Sequence, residues 1–265
     1  GYYEEAAKFA DDYAELKKRQ KSGEFVTNTG TKKRRFRRVE SKITAKGARA
    51  IFYRQFLEYK KEKYFIFTKM TVLSAVVAFI FAYSLQKSVS DSSMAGFILL
   101  GVVAYVALIM SGYTGKWESE LKNPYIFLIP DSPLKKMWYA TLMEHVKAFA
   151  DGCIICIPIG IFWHVPVIEI IYCILIYTVL QADRLYTMVI VQSLLGEVFG
   201  KTGQSLLRMF IQMALLGVGA GVGVLAAVLI SQTLIFPIVL IYGLMITVAM
   251  GAIALLRFDT MEQFV

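Results

Sequence analysis

Six long apolar stretches follow one another after residue 65, and short polar segments separate them. A helix needs about 20 mostly apolar residues to cross a bilayer, and each stretch is close to that length. The apolar residues are continuous rather than alternating, which favours helices and excludes a barrel. We therefore predict an all-α, polytopic membrane protein whose residues 66–265 form a six-transmembrane-helix bundle. The predicted spans are residues 66–85, 95–113, 146–163, 167–186, 206–230 and 234–256.

The end of the fourth span is not fixed by the pattern. Residues 185–199 stay apolar apart from a few polar positions. A continuing helix and a segment that kinks and re-enters the membrane both fit this composition, and both remain open.

The segment before the spans has a different pattern. Residues 1–46 form a basic cytoplasmic head, in which residues 2–21 show helical spacing of apolar side chains. Six basic residues surround one aromatic at positions 32–38. Residues 47–65 carry apolar side chains at helical spacing with basic residues between them, which is typical of an amphipathic helix lying in the membrane interface.

Charge sets the predicted orientation. The chain has 29 Lys and Arg against 20 Asp and Glu, a net charge of +9, and the whole excess lies in residues 1–65. The inner connections carry almost all the other Lys and Arg outside the spans, whereas residues 86–94, 164–166 and 231–233 hold only Lys87. By the positive-inside rule, both termini are expected in the cytoplasm. The basic run then suits anionic lipid headgroups or a solvated linker better than nucleic acid, which we do not expect as a partner.

The first inner connection is longer than a turn requires. Five apolar or aromatic residues, 125–129, lie between Pro124 and Pro130, and they must bury against the inner end of the bundle or against another subunit. Ser132 followed by Pro133 predicts a helix start, with serine as the cap. We expect that helix to run about 30 residues, roughly 45 Å, into the third span.

Two blocks of the sequence resemble a known family. Residues 125–136 (YIFLIPDSPLKK) and residues 47–59 (GARAIFYRQFLEY) are similar to the ABC exporter permease family of Gram-positive bacteria. The resemblance implies the C-terminal, six-span half of a larger permease in the bacterial plasma membrane, in keeping with a chain that begins at Gly1. It also implies a coupling loop seated on a cytoplasmic ABC ATPase subunit, which would hold the ATP and Mg, and a second six-span half or permease copy. The coupling loop comprises Asn123, Pro124, Tyr125, Ile126, Phe127, Leu128, Ile129, Pro130 and Asp131.

Four ionisable residues inside the predicted spans are candidates for a functional role, because a charge in the bilayer is costly. Asp151 shares a helix face with Glu144 and Lys147, so an ion pair is favoured over a cargo or gating role. Glu169 lies near the outer surface and reads as a solvated helix end. Asp183 lies about 24 Å below the start of its span, and Asp183 and Arg184 should face different partners.

Other motifs point to packing rather than chemistry. Gly217, Gly219, Gly221 and Gly223 give overlapping G-x-x-x-G spacings, which predict close helix packing or a subunit interface. Residues 196–202 resemble a phosphate-binding loop but have three residues between the glycines instead of four. Cys153 and Cys156 lie in an apolar run, which favours packing over redox chemistry. We predict no catalytic, cofactor-binding or metal-binding residue in this chain, which is therefore not itself the ATPase.

Two functions remain in view. The first is the permease part of an ATP-driven exporter. The alternative is a non-transporting membrane anchor or assembly factor that recruits a cytoplasmic partner through residues 1–46.

Overall fold

The computed structural model describes residues 45–61, 65–67, 69–86, 92–112, 116–121, 125–195 and 200–263. The predicted helix at residues 2–21, the basic run at 32–38, Asn123 and Pro124 lie outside these ranges. So do residues 196–199 of the segment that resembles a phosphate-binding loop.

The described residues are helical almost throughout, and no strand occurs among them. The long helices are joined by short turns, and three short helices lie between them or before them. In chain order the elements are α1 (Arg49–Lys61), α2 (Lys69–Leu85), α3 (Ser92–Ser111), α4 (Lys116–Leu121), α5 (Tyr125–Leu128), α6 (Pro133–Phe162), α7 (Val167–Leu195), α8 (Gly200–Leu229), a 3-10 turn (Gln232–Leu234) and α9 (Ile235–Gln263).

The protein is a polytopic helical membrane protein, as the sequence predicts. Five described helices, α3, α6, α7, α8 and α9, are long and apolar enough to cross a bilayer. The sixth apolar segment, α2, has 17 residues, fewer than a full span, so the count of six rests on this helix. It begins at Lys69 rather than at residue 66, because the backbone turns at Phe65, whose φ is 54°.

Helix α6 has the expected length and start. It runs for 30 residues from Pro133, and Ser132 occupies the N-cap position with extended backbone angles. The predicted serine cap is wrong in one detail, since the Ser132 side chain makes no capping hydrogen bond. Instead the Asp131 carboxylate accepts a hydrogen bond from the Ser132 N–H at 2.9 Å.

Helix α7 decides the question left open at the fourth span. It continues without a break from Val167 to Leu195, 29 residues or about 43 Å. Its apolar span is the most buried of the five, and it packs against α3, α6, α8 and α9. It is therefore the central helix of the bundle, and its last turns extend past the membrane-spanning length.

The buried apolar side chains form two clusters. The larger lies between α2, α3, α6 and α7, within the span region. The second, here called the platform cluster, lies at the end of the bundle that carries α1, α4 and α5, here called the platform end. The platform cluster consists of Ala48, Ile51, Trp117, Leu121, Ile126, Phe127, Met137, Ala140, Leu185, Met188, Val189, Ile190, Ala254 and Phe258.

The platform cluster should depend on Phe258. Its ring is fully buried and lies 5.1 Å from the ring of Phe127 and 6.5 Å from that of Trp117. We expect Phe258→Ala to lower the free energy of unfolding by about 3–5 kcal/mol, because it leaves a cavity in the cluster. Thermal unfolding of the purified protein in detergent measures this loss. Leu256→Ala is the matched control on the same helix, since Leu256 is 70% exposed and should change little. Equal losses from both variants would contradict the prediction.

Candidate functional site

The two blocks that carry the family resemblance lie side by side at the platform end. Helix α1 packs along the first half of α6. Its buried residues, Ile51, Gln55 and Tyr59, recur every fourth position and form one stripe facing inward. Tyr53, on another face, is half exposed. Helix α1 thus has a protein-packed face and an exposed face.

Polar contacts hold α1 at both ends. At its start, the Ala48 N–H donates to Asp131 Oδ2 at 3.1 Å, and Arg49 Nε donates to the Tyr139 hydroxyl at 3.3 Å. At its far end, the Tyr59 hydroxyl donates to Glu144 Oε1 at 3.2 Å in a buried contact. These contacts fix both ends of α1 to α6 or to the turn before it.

Asp131 joins these elements. Its second oxygen accepts from Ser132, and Lys135 lies 3.6 Å from the carboxylate. The hydrogen bonds from the Ala48 and Ser132 N–H groups lower the pKa of Asp131 below its ordinary value of 3.8. Gly47 allows the approach: its φ is +62°, and a Cβ atom there would lie only 2.8 Å from the carboxylate. A side chain at position 47 would therefore strain the backbone and displace the Asp131 carboxylate from its contact with Ala48.

The predicted coupling loop divides into a buried and an exposed part. Ile126 and Phe127 of α5 enter the platform cluster, and the buried Lys136 ammonium donates to the Phe127 carbonyl oxygen at 3.1 Å. In contrast, Leu128 is 65% exposed, and Pro130 is exposed as well. The loop is thus anchored on the bundle and presents an apolar side chain outward.

Two further features of the platform end are not anticipated from the sequence. Trp117 of α4 is fully buried, and its indole N–H donates to the Leu185 carbonyl oxygen at 3.3 Å. Its neighbour Glu118 forms a buried ion pair with Arg208 of α8 at 3.5 Å. The signal for this pair is a lone arginine in an otherwise apolar run, which must find an acid on another helix.

A buried polar cluster extends from the platform end into the bundle. Asp151 and Arg184 both line a small cavity of about 30 Å³ between α2, α3, α6 and α7, which has room for about one water. Asp151 accepts a hydrogen bond from Thr71, and Arg184 donates to the Met110 carbonyl oxygen at 3.1 Å. The other polar side chains at this cavity are Ser74, Glu144, Lys147, Tyr177 and Gln181. Glu144 also binds Tyr59, so this polar cluster is continuous with α1.

Asp183 and Glu169 lie apart from that cluster. Asp183 lines a separate, larger cavity of about 330 Å³ with apolar walls. As the sequence predicts, Asp183 and its neighbour Arg184 face different partners. The Glu169 carboxylate lies against Gly96 of α3, next to the ring of Phe236. Of the four intramembrane candidates, the structure brings together only Asp151 and Arg184.

The glycines of α8 alternate between two environments. Gly219 and Gly223 face α9, where an added Cβ would lie 3.0 Å from the Tyr242 ring and 3.3 Å from the Val239 side chain. Gly217 and Gly221 face open space, with no atom within 4 Å of such a Cβ. Close helix approach thus involves only every second glycine of the stripe.

Cysteine and metal chemistry find little support in the described part of the chain. Cys153, Cys156 and Cys173 are all free thiols, and the last two are buried. Within the described ranges, no three His, Cys, Asp or Glu side chains are grouped so that they could hold a metal ion. The expectation that the chain carries no cofactor stays a prediction.

Comparison with known proteins adds one match. The model of a family described as "Putative ABC exporter" matches residues 1–262 of this chain. No curated protein and no solved structure shows significant similarity to it.

The contact of Asp131 with α1 should respond to acid. The pKa of Asp131 is lowered in the folded state, so its stabilising effect is complete above pH 3.8 and is lost as the pH falls below that value. Spin labels at the exposed positions Tyr53 and Leu134, in a variant whose native cysteines are replaced by alanine, report the α1–α6 distance. We expect a narrow distance distribution at neutral pH that broadens in acid.

Two substitutions complete this test. Asp131→Ala should broaden the distance distribution already at neutral pH, because Ala48 and Ser132 lose their acceptor. Ser132→Ala is the control, since its hydroxyl caps nothing and its N–H is retained. A narrow distribution in Asp131→Ala at neutral pH would show that the carboxylate does not hold α1.

The Glu118–Arg208 pair gives a second test of the platform end. Arg208→Met removes the guanidinium that pairs with the buried Glu118 carboxylate, and we expect a loss of about 3–5 kcal/mol in the free energy of unfolding. The double variant Glu118→Met with Arg208→Met should recover most of this loss, because no buried charge remains. Thermal or denaturant unfolding in detergent measures both. A double variant as unstable as the single one would refute the pairing.

Proposed function

Since the chain belongs to this ABC exporter family, we propose that it is the transmembrane permease part that couples ATP hydrolysis on a separate cytoplasmic subunit to substrate export. The observation that supports coupling at the platform end is the exposure of the Leu128 side chain. It is a large, exposed apolar side chain on a helix in which Ile126 and Phe127 are buried in the platform cluster. An exposed leucine on a fixed support is suited to binding an apolar groove of another protein.

The proposed orientation places the platform end in the cytoplasm of a bacterial cell, with both termini of the chain on that side. Arg49, Arg54, Lys60, Lys61 and Lys135 all lie at the platform end. The turns at the opposite end, residues 163–166 and 230–234, contain no lysine or arginine. This asymmetry follows the positive-inside rule for the plasma membrane. Residues 32–38 would then face anionic lipid headgroups.

The mechanism that we propose is mechanical. An ATPase subunit, carrying ATP and Mg, would bind α5 around Leu128, and its closure would shift α5 together with the first turns of α6. Lys136 and Asp131 join α5 and the following turn to α6 and α1. Helix α6 in turn carries Glu144 and Asp151 at the buried polar cluster. A displacement at the platform would thereby favour one of two packings of the bundle.

A complete exporter also needs a second membrane half. The apolar span of α9 is largely exposed in this chain. Such a surface fits either lipid or a partner of the same kind, and we propose another six-span half or a second permease copy as that partner.

The coupling proposal is tested by charging Leu128. We expect Leu128→Asp to abolish co-purification of the ABC-type ATPase from host membranes in mild detergent, because a carboxylate would have to be buried in the interface. The purified membranes should also lose ATP-dependent transport. The ATPase is identified by mass spectrometry from its nucleotide-binding motifs, and its hydrolysis of ATP is measured on the purified complex.

Val167→Asp is the matched control for this substitution. Val167 is as exposed as Leu128 but lies at the first residue of α7, at the opposite end of the bundle, where an acidic side chain suits the helix terminus. This variant should retain the ATPase. If Leu128→Asp retains it too, coupling through α5 is refuted. Retention that depends only on residues 1–46 would favour the alternative of a non-transporting anchor.

A further inference from the structure

The cavity that contains Asp183 is enclosed by four helices, α3, α7, α8 and α9. Its volume is about 330 Å³, and its walls are aliphatic apart from a few aromatic side chains and Asp183. On α7 the lining residues Ile176, Val179, Leu180 and Asp183 follow helical spacing, so the lining runs about 10 Å along one face of that helix. Asp183 lies at the platform-end limit of this face.

The Asp183 carboxylate is buried without adequate donors. Only 2% of the residue is exposed, and its Oδ1 has no hydrogen-bond partner among the described residues. The Thr247 hydroxyl lies beside it, but its single hydrogen is donated to the Gly243 carbonyl oxygen at 2.9 Å. The Tyr242 hydroxyl, at the same cavity, donates to the Leu215 carbonyl oxygen at 3.1 Å.

The two arginines Arg184 and Arg208 are engaged elsewhere. Arg184 follows Asp183 in the chain but donates to the Met110 carbonyl oxygen at the other cavity. Arg208 is paired with Glu118. Among the described residues, therefore, no cation of the chain itself is found beside Asp183. A carboxyl group at the end of an apolar cavity is stable either in its protonated form or with a counter-charge beside it, which a cationic ligand would supply here.

The cavity is accessible from the side of the bundle. Gly101 and Ala220, which line it, are exposed, and Val224 is 63% exposed. These residues lie on α3 and α8, two helices that are long and apolar enough to cross a bilayer. A ligand that partitions into the membrane could enter here without crossing water.

We propose that this cavity binds a lipophilic amine, with its chain along the aliphatic walls and its ammonium group on the Asp183 carboxylate. The ammonium would donate to Oδ1, which has no other donor. Identifying this amine as the exported cargo rests on the proposed function, whereas the binding site itself does not.

The test uses the full chain in nanodiscs of phosphatidylcholine, without any ATPase. The probe is a dodecylamine that carries an aryl trifluoromethyl diazirine on its chain, and the corresponding alcohol and carboxylate serve as matched probes. Labelled peptides of α3, α7, α8 and α9 are quantified by mass spectrometry after irradiation. We expect amine labelling of the cavity-lining residues, competed by unlabelled dodecylamine and not by dodecanol.

Asp183→Asn tests the counter-ion. Because it removes the charge but keeps the size, we expect amine labelling of the cavity to fall at least about tenfold, with labelling by the alcohol unchanged. Comparing each probe between the two proteins cancels its partitioning into lipid. If Asp183→Asn labels like the original chain, or if the three probes label the original cavity equally, the proposal is overturned. The latter result would indicate a lipid tail as the occupant.

A second pair of variants keeps the test decisive if Asp183→Asn fails to fold. Gly101 and Gly217 both have open space around an added Cβ, but only Gly101 lines the cavity. Gly101→Leu should therefore lower amine labelling of the lining residues, and Gly217→Leu should not. If the two substitutions change amine labelling equally, the site is refuted. It is also refuted if no probe labels the cavity because a second copy covers the opening. Because no ATPase is present in the labelling experiment, a negative labelling result does not affect the Leu128→Asp test of the proposed function. A negative Leu128→Asp result likewise does not affect the labelling test.

Discussion

A charged side chain that leaves water must find a partner, and this constraint organises the platform end of the protein. Lys136 satisfies it with a backbone carbonyl of α5, Arg208 with Glu118, and Glu144 with the Tyr59 hydroxyl. Each of these contacts joins two elements that are separate in the chain. The apolar platform cluster supplies the burial, and the polar contacts fix which helix faces meet. Hydrophobic packing is non-directional, whereas the buried hydrogen bond from the Lys136 ammonium to the Phe127 carbonyl oxygen specifies how α5 lies on the bundle.

Most of the helical framework could be predicted because it follows from local patterns. The apolar runs locate the spans, and the Ser132–Pro133 pair locates the start of α6, since both signals depend on a few adjacent residues. The left-handed conformation of Phe65, which precedes α2, is not visible in a hydropathy pattern. Similarly, the continuity of α7 depends on the four helices around it, which supply the burial that its own sequence does not specify.

The candidate site was less predictable, and the reason is that its contacts are long-range. Helical geometry shows that Asp183 and Arg184 must diverge, and the structure confirms that they do. Helical geometry does not show which of the two side chains lines an apolar cavity. The Glu118–Arg208 pair joins α4 to α8. Because the two residues are far apart in the sequence, the sequence does not identify them as partners. In the same way, the segment Tyr125–Leu128 is apolar throughout in the sequence. Only the fold shows that Phe127 is buried and that Leu128 is exposed.

The composition of the platform cluster sets an order of events during synthesis. Phe127 of α5 packs against Phe258 of α9, a helix that is synthesised after α5, α6, α7 and α8. Until α9 is inserted, the ring of Phe127 lacks its neighbour, and α5 has only part of its support. A ribosome-bound chain that ends before α9 therefore cannot yet present Leu128 on a finished surface. The surface that we propose for partner binding is therefore completed only after α9 has been inserted.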